Sequence, residues 1–104
     1  MAWLILVLSG VFEAVWAIAL GRSEGLSRPI PSVIFVVATI ISMGGLAVAM
    51  RDLPTGTAYA VWVGIGAALT VGFGMATGTE PVSALRVLFL ALIVGGVIGL
   101  KAIH

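Results

Sequence analysis

Glu13 is the residue with the clearest chemical potential in this sequence, because it lies inside the long apolar stretch that opens the chain. If that stretch crosses a membrane, its acidic group costs roughly 2.5–3.5 kcal/mol near the bilayer centre on insertion scales. Such a residue either hydrogen-bonds to a neighbouring helix or faces a pathway or ligand, and the second role is the commoner one. Loss of water disfavours the charged form of a carboxyl group. Glu13 is therefore expected to hold a proton or a cation. At 100° per residue, Leu6, Ser9, Gly10, Trp16, Ala17 and Leu20 share its helix face. Ser9 and Gly10 leave room there, and Trp16 offers an aromatic wall with an N–H donor. Further along, Tyr59, Trp62 and Gly66 share a face, and Trp and Tyr rings attract cations. Thr39 and Ser42 also fall on one face, although a lone hydroxyl in a helix ordinarily bonds back to its own backbone. Trp3 reads as an interface anchor, and terminal His104 is assigned no role. No nucleophile–base pair, metal-ligand cluster or phosphate loop is present, and cysteine is absent. The chain is thus not expected to be an enzyme, nor to hold a metal or cofactor.

The elements that must position these residues follow from composition. Of the 104 residues, 62% are hydrophobic and 9% charged, with a mean hydropathy of +1.30. Nine charged side chains cannot cover a water-facing surface, and a soluble domain carries about 25% of them. Disorder is excluded by the same numbers, and a formal charge of +1 leaves no basic patch for nucleic acid. An integral membrane protein remains. Four stretches of about 20 apolar residues fit, at residues 2–20, 31–50, 55–76 and 83–103. They form a single four-helix transmembrane domain over residues 1–104. The connectors are short, so successive helices should be antiparallel neighbours. Transmembrane strands would alternate in polarity, and these runs do not. A secretory signal peptide is not expected, because no Lys or Arg precedes the first run and a carboxylate interrupts it.

Orientation is set by the Lys/Arg bias of short loops. One side holds Arg51 and Lys101 and the other holds Arg22, Arg28 and Arg86; the N-terminal amine evens the tally. Such balance permits insertion both ways and an antiparallel dimer. Four helices also leave little wall around a polar pathway, which must be shielded from lipid. Gly95 and Gly99 have the spacing of a close helix contact, either with a second subunit or within one. Gly56, Ala60, Gly64, Ala68, Gly72 and Ala76 form a longer small-residue ladder on the third span, and its glycines make that helix bendable.

The segment Pro54-Thr55-Gly56-Thr57-Ala58-Tyr59-Ala60-Val61-Trp62, followed by Gly64 and Gly66, resembles that of small multidrug resistance transporters. The membrane Glu, Ser23-Glu24-Gly25 and Arg28 extend the resemblance over essentially the whole chain. Within that family the chain resembles the guanidinium exporter branch, through Trp16-Ala17-Ile18-Ala19-Leu20, Ser42, Glu80-Pro81 and Ala84-Leu85-Arg86. The resemblance implies an antiparallel dual-topology homodimer in the bacterial inner membrane, multi-pass and proton-coupled. It would export guanidinium or small substituted guanidinium cations by alternating access. Protons and cation would compete for the paired Glu13 side chains. Trp16 and Ser42 would hydrogen-bond around the carboxylates, Tyr59 and Trp62 would line the pocket, and Gly10 would leave space. The partners implied are the cation, protons, lipid and a second copy, or a homologue in the opposite orientation.

Gly21, Met43-Gly44-Gly45, Val63 and the third loop (residues 75–79) depart from the family pattern. Lost bulk on the second helix is expected to open a side gap towards lipid and to admit apolar tails on the substrate. The alternatives are a quaternary ammonium or multidrug exporter, against which Trp16 argues, and a non-transporting structural subunit. A channel is disfavoured, since the spans offer no continuous polar lining.

Overall fold

A computed structural model describes residues 1–103; His104 lies outside the described residues. The four expected spans are four α-helices: α1 (Ala2–Arg22), α2 (Pro29–Ala49), α3 (Thr55–Thr77) and α4 (Ala84–Ile103). Each is long and apolar enough to cross a membrane. At 1.5 Å per residue they are about 30 Å long, the thickness of the hydrocarbon core. No strand occurs among the described residues.

The helix ends moved where local chemistry allows it. α1 continues through Gly21 to Arg22, because a long basic side chain at a C-terminus complements the helix dipole and can snorkel. α2 begins at Pro29 rather than residue 31, since proline at the first helical position loses no hydrogen bond. The turn between α1 and α2 places Glu24, Gly25 and Leu26 at positive φ. Buried Ser23 holds it together: its hydroxyl donates to Leu20 O at 2.7 Å and accepts from Leu26 N–H at 3.0 Å. α3 ends on left-handed Gly78 (φ 81°), a standard helix stop.

The core lies between α1, α2 and the first half of α3. Leu6, Leu46, Ala49, Leu53, Ala58, Val61 and Trp62 form its buried cluster. α1 is central and packs on both α2 and α3, whereas α4 touches only α3 among the helix pairs in substantial contact. The chain measures 40 × 34 × 17 Å. A helix with side chains is about 10–12 Å across, so the slab is less than two helices thick.

Close approach of α1 and α3 depends on Gly10. A Cβ there would stand 2.7 Å from Ile65 Cγ2 and 2.8 Å from Ile65 Cβ. The room Gly10 leaves is therefore filled by Ile65. Gly10→Ala should lower stability by about 1–3 kcal/mol through overpacking, with part of the loss restored by Ile65→Ala. Thermal unfolding in detergent checks this; an unaltered midpoint contradicts it.

Of the glycines in the small-residue ladder of α3, Gly64 makes a close contact. A Cβ on Gly64 would meet Val97 Cγ2 at 2.6 Å and Ile93 Cγ2 at 3.6 Å on α4. Gly56 and Gly72 face open space, as do Gly95, Gly96 and Gly99 on α4. No residue of α4 is buried, so Gly95 and Gly99 make no close contact within the subunit.

Candidate functional site

Glu13 lies on the α3-facing side of α1, and its seat is Gly66. A Cβ built on Gly66 would overlap Glu13 Oε1 and stand 2.5 Å from Cδ and 2.8 Å from Cγ. The carboxyl group thus lies flat on the α3 backbone, where any side chain would displace it. Gly66 itself is buried. Among the described residues no donor or cation is paired with the Glu13 carboxylate. No Lys, Arg or His lies near mid-span; the basic residues stand in loops or near helix ends.

One turn away, Ser42 links three helices. It is fully buried, and its hydroxyl donates to Ser9 O on α1 at 2.7 Å. The same oxygen accepts from Trp62 Nε1 on α3 at 2.9 Å. Ser42 therefore does not bond back to its own helix, whereas Thr39 does, donating to Phe35 O at 2.6 Å. The difference is position: the Ser42 face meets both neighbours, and its hydroxyl satisfies the buried Trp62 indole N–H. A double-mutant cycle between Ser42→Ala and Trp62→Phe should return a coupling of about 0.5–1.5 kcal/mol in detergent unfolding. Zero coupling would contradict the bond.

Trp16 faces a different neighbour from Glu13. Its ring meets Phe35 of α2 edge-on, with centroids 5.9 Å apart and planes at 71°. Its Nε1 is buried and has no hydrogen-bond partner among the described residues. Tyr59 is 55% exposed, with its ring 5.9 Å from that of Trp62 and tilted 37°. The structure thus joins Ser42, Trp62 and Tyr59 in one cluster, while Glu13 and Trp16 leave α1 towards α3 and α2 respectively.

The glycines after Ser42 divide in the same way. A Cβ on Gly45 would overlap the Ser9 hydroxyl and stand 3.2 Å from Ser9 Cβ. Gly45 is thus a close contact between α1 and α2 and opens no gap. Gly44 faces open space beside exposed Met43.

Comparison with known proteins decides what such a bundle belongs to. Residues 1–93 match the family described as Small Multidrug Resistance protein. The chain belongs to the small multidrug resistance family. It is 52% identical over 101 residues to a guanidinium exporter of Escherichia coli (strain K12), covering 97% of this chain and 96% of that one. It is 50% identical over 101 residues to a guanidinium exporter of Proteus vulgaris, covering 97% of each chain. As a small multidrug resistance protein it is a multi-pass membrane protein with four spanning helices.

Sequence reasoning missed two positions that the structure brings forward. Gly66 was legible as a member of a face and of the family-like segment but not as the seat of Glu13, although glycine is the residue that lets a side chain lie on a helix backbone. Ile65, which fills the space at Gly10, carries no signal beyond being apolar. The i+4 run Gly66, Thr70, Gly74 was the available clue to the α1-facing side of α3.

Proposed function

We propose that this protein exports guanidinium-type cations in exchange for protons. The observation that carries this reading is the Glu13 carboxylate, mid-span and seated on Gly66, with no basic side chain nearby to neutralise it. A carboxylate in that setting requires a mobile counter-charge. Guanidinium is planar, permanently charged and rich in N–H donors, which suits paired carboxylates. The relatives named guanidinium exporters, 50% and 52% identical, support that substrate.

The working unit is an antiparallel dual-topology dimer. A slab 17 Å thick leaves the Glu13 region without a second wall, and the open Gly95 and Gly99 of α4 suit a close helix contact. Two Glu13 side chains then face one cavity and titrate as a pair. Exposed Tyr59 lines it, and buried Ser42 and Trp62 brace its wall from behind through their hydrogen bond; the Trp16 N–H is a buried donor without a partner among the described residues. Each state binds either protons or the cation, and only loaded states reorient. Up to two protons then exchange per cation. Acidification should weaken apparent guanidinium affinity, because protons occupy the same oxygens.

The test is uptake into proteoliposomes under a proton gradient, with guanidinium in one arm and a quaternary ammonium in the other. Guanidinium transport dissipating the gradient is expected. Transport of the quaternary ammonium alone would favour the multidrug reading, for which open Gly44 beside exposed Met43 leaves room. Transport of neither would favour a structural subunit.

A further inference from the structure

The contact between α1 and α3 continues beyond Glu13. On α3, Gly66, Thr70 and Gly74 follow at i+4 spacing, and on α1 so do Glu13, Ala17 and Gly21, which places each set on one helix face. A cavity of about 330 Å³ lies between the two rails, lined in part by Ala17, Gly21, Thr70, Gly74, Thr79 and Glu80. At its far end Glu80 repeats the arrangement seen at Glu13. A Cβ built on Gly74 would overlap Glu80 Oε2 and stand 2.9 Å from Cγ and 3.0 Å from Cδ. Two carboxylates are therefore laid on glycines of the same helix, and those glycines are separated by about 12 Å along its axis. The Glu80 backbone is fixed there, because its N–H donates to Gly74 O at 3.1 Å.

The group that holds Glu80 is itself a guanidinium. Arg86 Nη1 donates to Glu80 Oε1 at 3.4 Å, and the two side chains are 35% and 37% exposed. A partly solvated pair of this length is weak and exchangeable. The cation that lines the cavity itself, Arg22, is turned onto an aromatic face, 5.3 Å from the Phe73 centroid. Between the carboxylates, Thr70 Oγ1 donates to Gly66 O at 2.6 Å, so its lone pairs remain for a passing N–H donor.

We propose that Glu80 is an outer docking carboxylate for guanidinium-type cations, occupied by Arg86 until a free cation displaces it and passes along the α1–α3 cavity towards Glu13. This rests on the export reading above. In the antiparallel pair, one Glu80 stands on each face, so the cation meets one from either side. The competing possibility is that the Glu80–Arg86 pair only clamps the α3–α4 connection. In that case removing either partner has the same effect.

Initial rates of guanidinium uptake by the full chain in proteoliposomes at low ionic strength separate the two. Glu80→Gln should raise KM about three- to tenfold by removing a charge that attracts and holds the arriving cation, with the maximal rate within about twofold. Arg86→Gln should lower KM by freeing Glu80. The Glu80→Gln effect should shrink at high salt. Shifts of KM in one direction for both variants, or no shift in Glu80→Gln, would overturn the proposal. If Glu80→Gln does not fold, Glu80→Asp should give a smaller rise in KM, and an unchanged KM there is equally fatal. Absence of guanidinium transport by the wild-type chain would instead remove the export reading itself.

Discussion

Glu13→Gln is expected to reduce guanidinium uptake to the lipid background, a loss of about a hundredfold or more, while the protein keeps or gains thermal stability. The two halves of this expectation have one cause. Glu13 sits within an apolar helix and has no partner among the described residues. Its charge therefore costs desolvation and returns nothing until a proton or cation arrives. Glutamine is nearly the same size and carries no charge, so it removes that cost. It also removes the charge-assisted hydrogen bonds on which cation binding depends, at about 1.5–3 kcal/mol each. The paired carboxylates of a dimer would lose this twice. Proton release on adding guanidinium should vanish together with uptake. A variant that still exchanges protons for guanidinium would remove Glu13 from the mechanism. One that loses both activity and fold would mean that Glu13 is structural.

The second large effect concerns a residue with no functional group. Gly66→Ala should weaken guanidinium affinity at least about tenfold with little change in unfolding temperature. The added methyl would occupy the place of the Glu13 carboxyl group. What must move is the far end of a flexible side chain rather than backbone, so the helices can remain packed. In addition, alanine favours a helix over glycine by about 0.8–1.0 kcal/mol. Stability is therefore preserved while the carboxylate loses its seat. Gly72→Ala on the same helix is the matched comparison, since its Cβ would meet nothing within 4 Å; it should retain wild-type affinity. Equal affinities in the two variants, measured by proton release on guanidinium binding in detergent, would show that the seat does not matter.

Several features needed no tertiary information. Sixty-two per cent hydrophobic residues and nine per cent charged ones leave only a membrane as solvent, and Pro, Gly and charge mark the three connectors. Glu13 stands out for the same reason, because an ionisable group inside a bilayer is too costly to be incidental. The helix ends were less legible. Arg22 and Pro29 look like loop residues by polarity, yet snorkelling and N-terminal proline geometry admit them to α1 and α2.

Helical periodicity assigns a residue to a face, but a face about 100° wide touches two neighbours, and only packing divides them. This is why Glu13 and Trp16, three residues apart, reach α3 and α2. It is why Ser42 bridges three helices while Thr39 bonds its own backbone. The glycines were equally ambiguous. Sequence marks each as space, but whether a neighbour fills that space depends on how closely two backbones approach. Gly10 admits Ile65, Gly45 admits Ser9, Gly66 and Gly74 each admit a carboxylate, and Gly44 admits nothing. Composition and the energy of a charge in hydrocarbon thus determined the class, the four spans and the central carboxylate. The tertiary structure decided which atoms lie against that carboxylate, because those contacts depend on interhelical distances of a few ångströms that no one-dimensional pattern records.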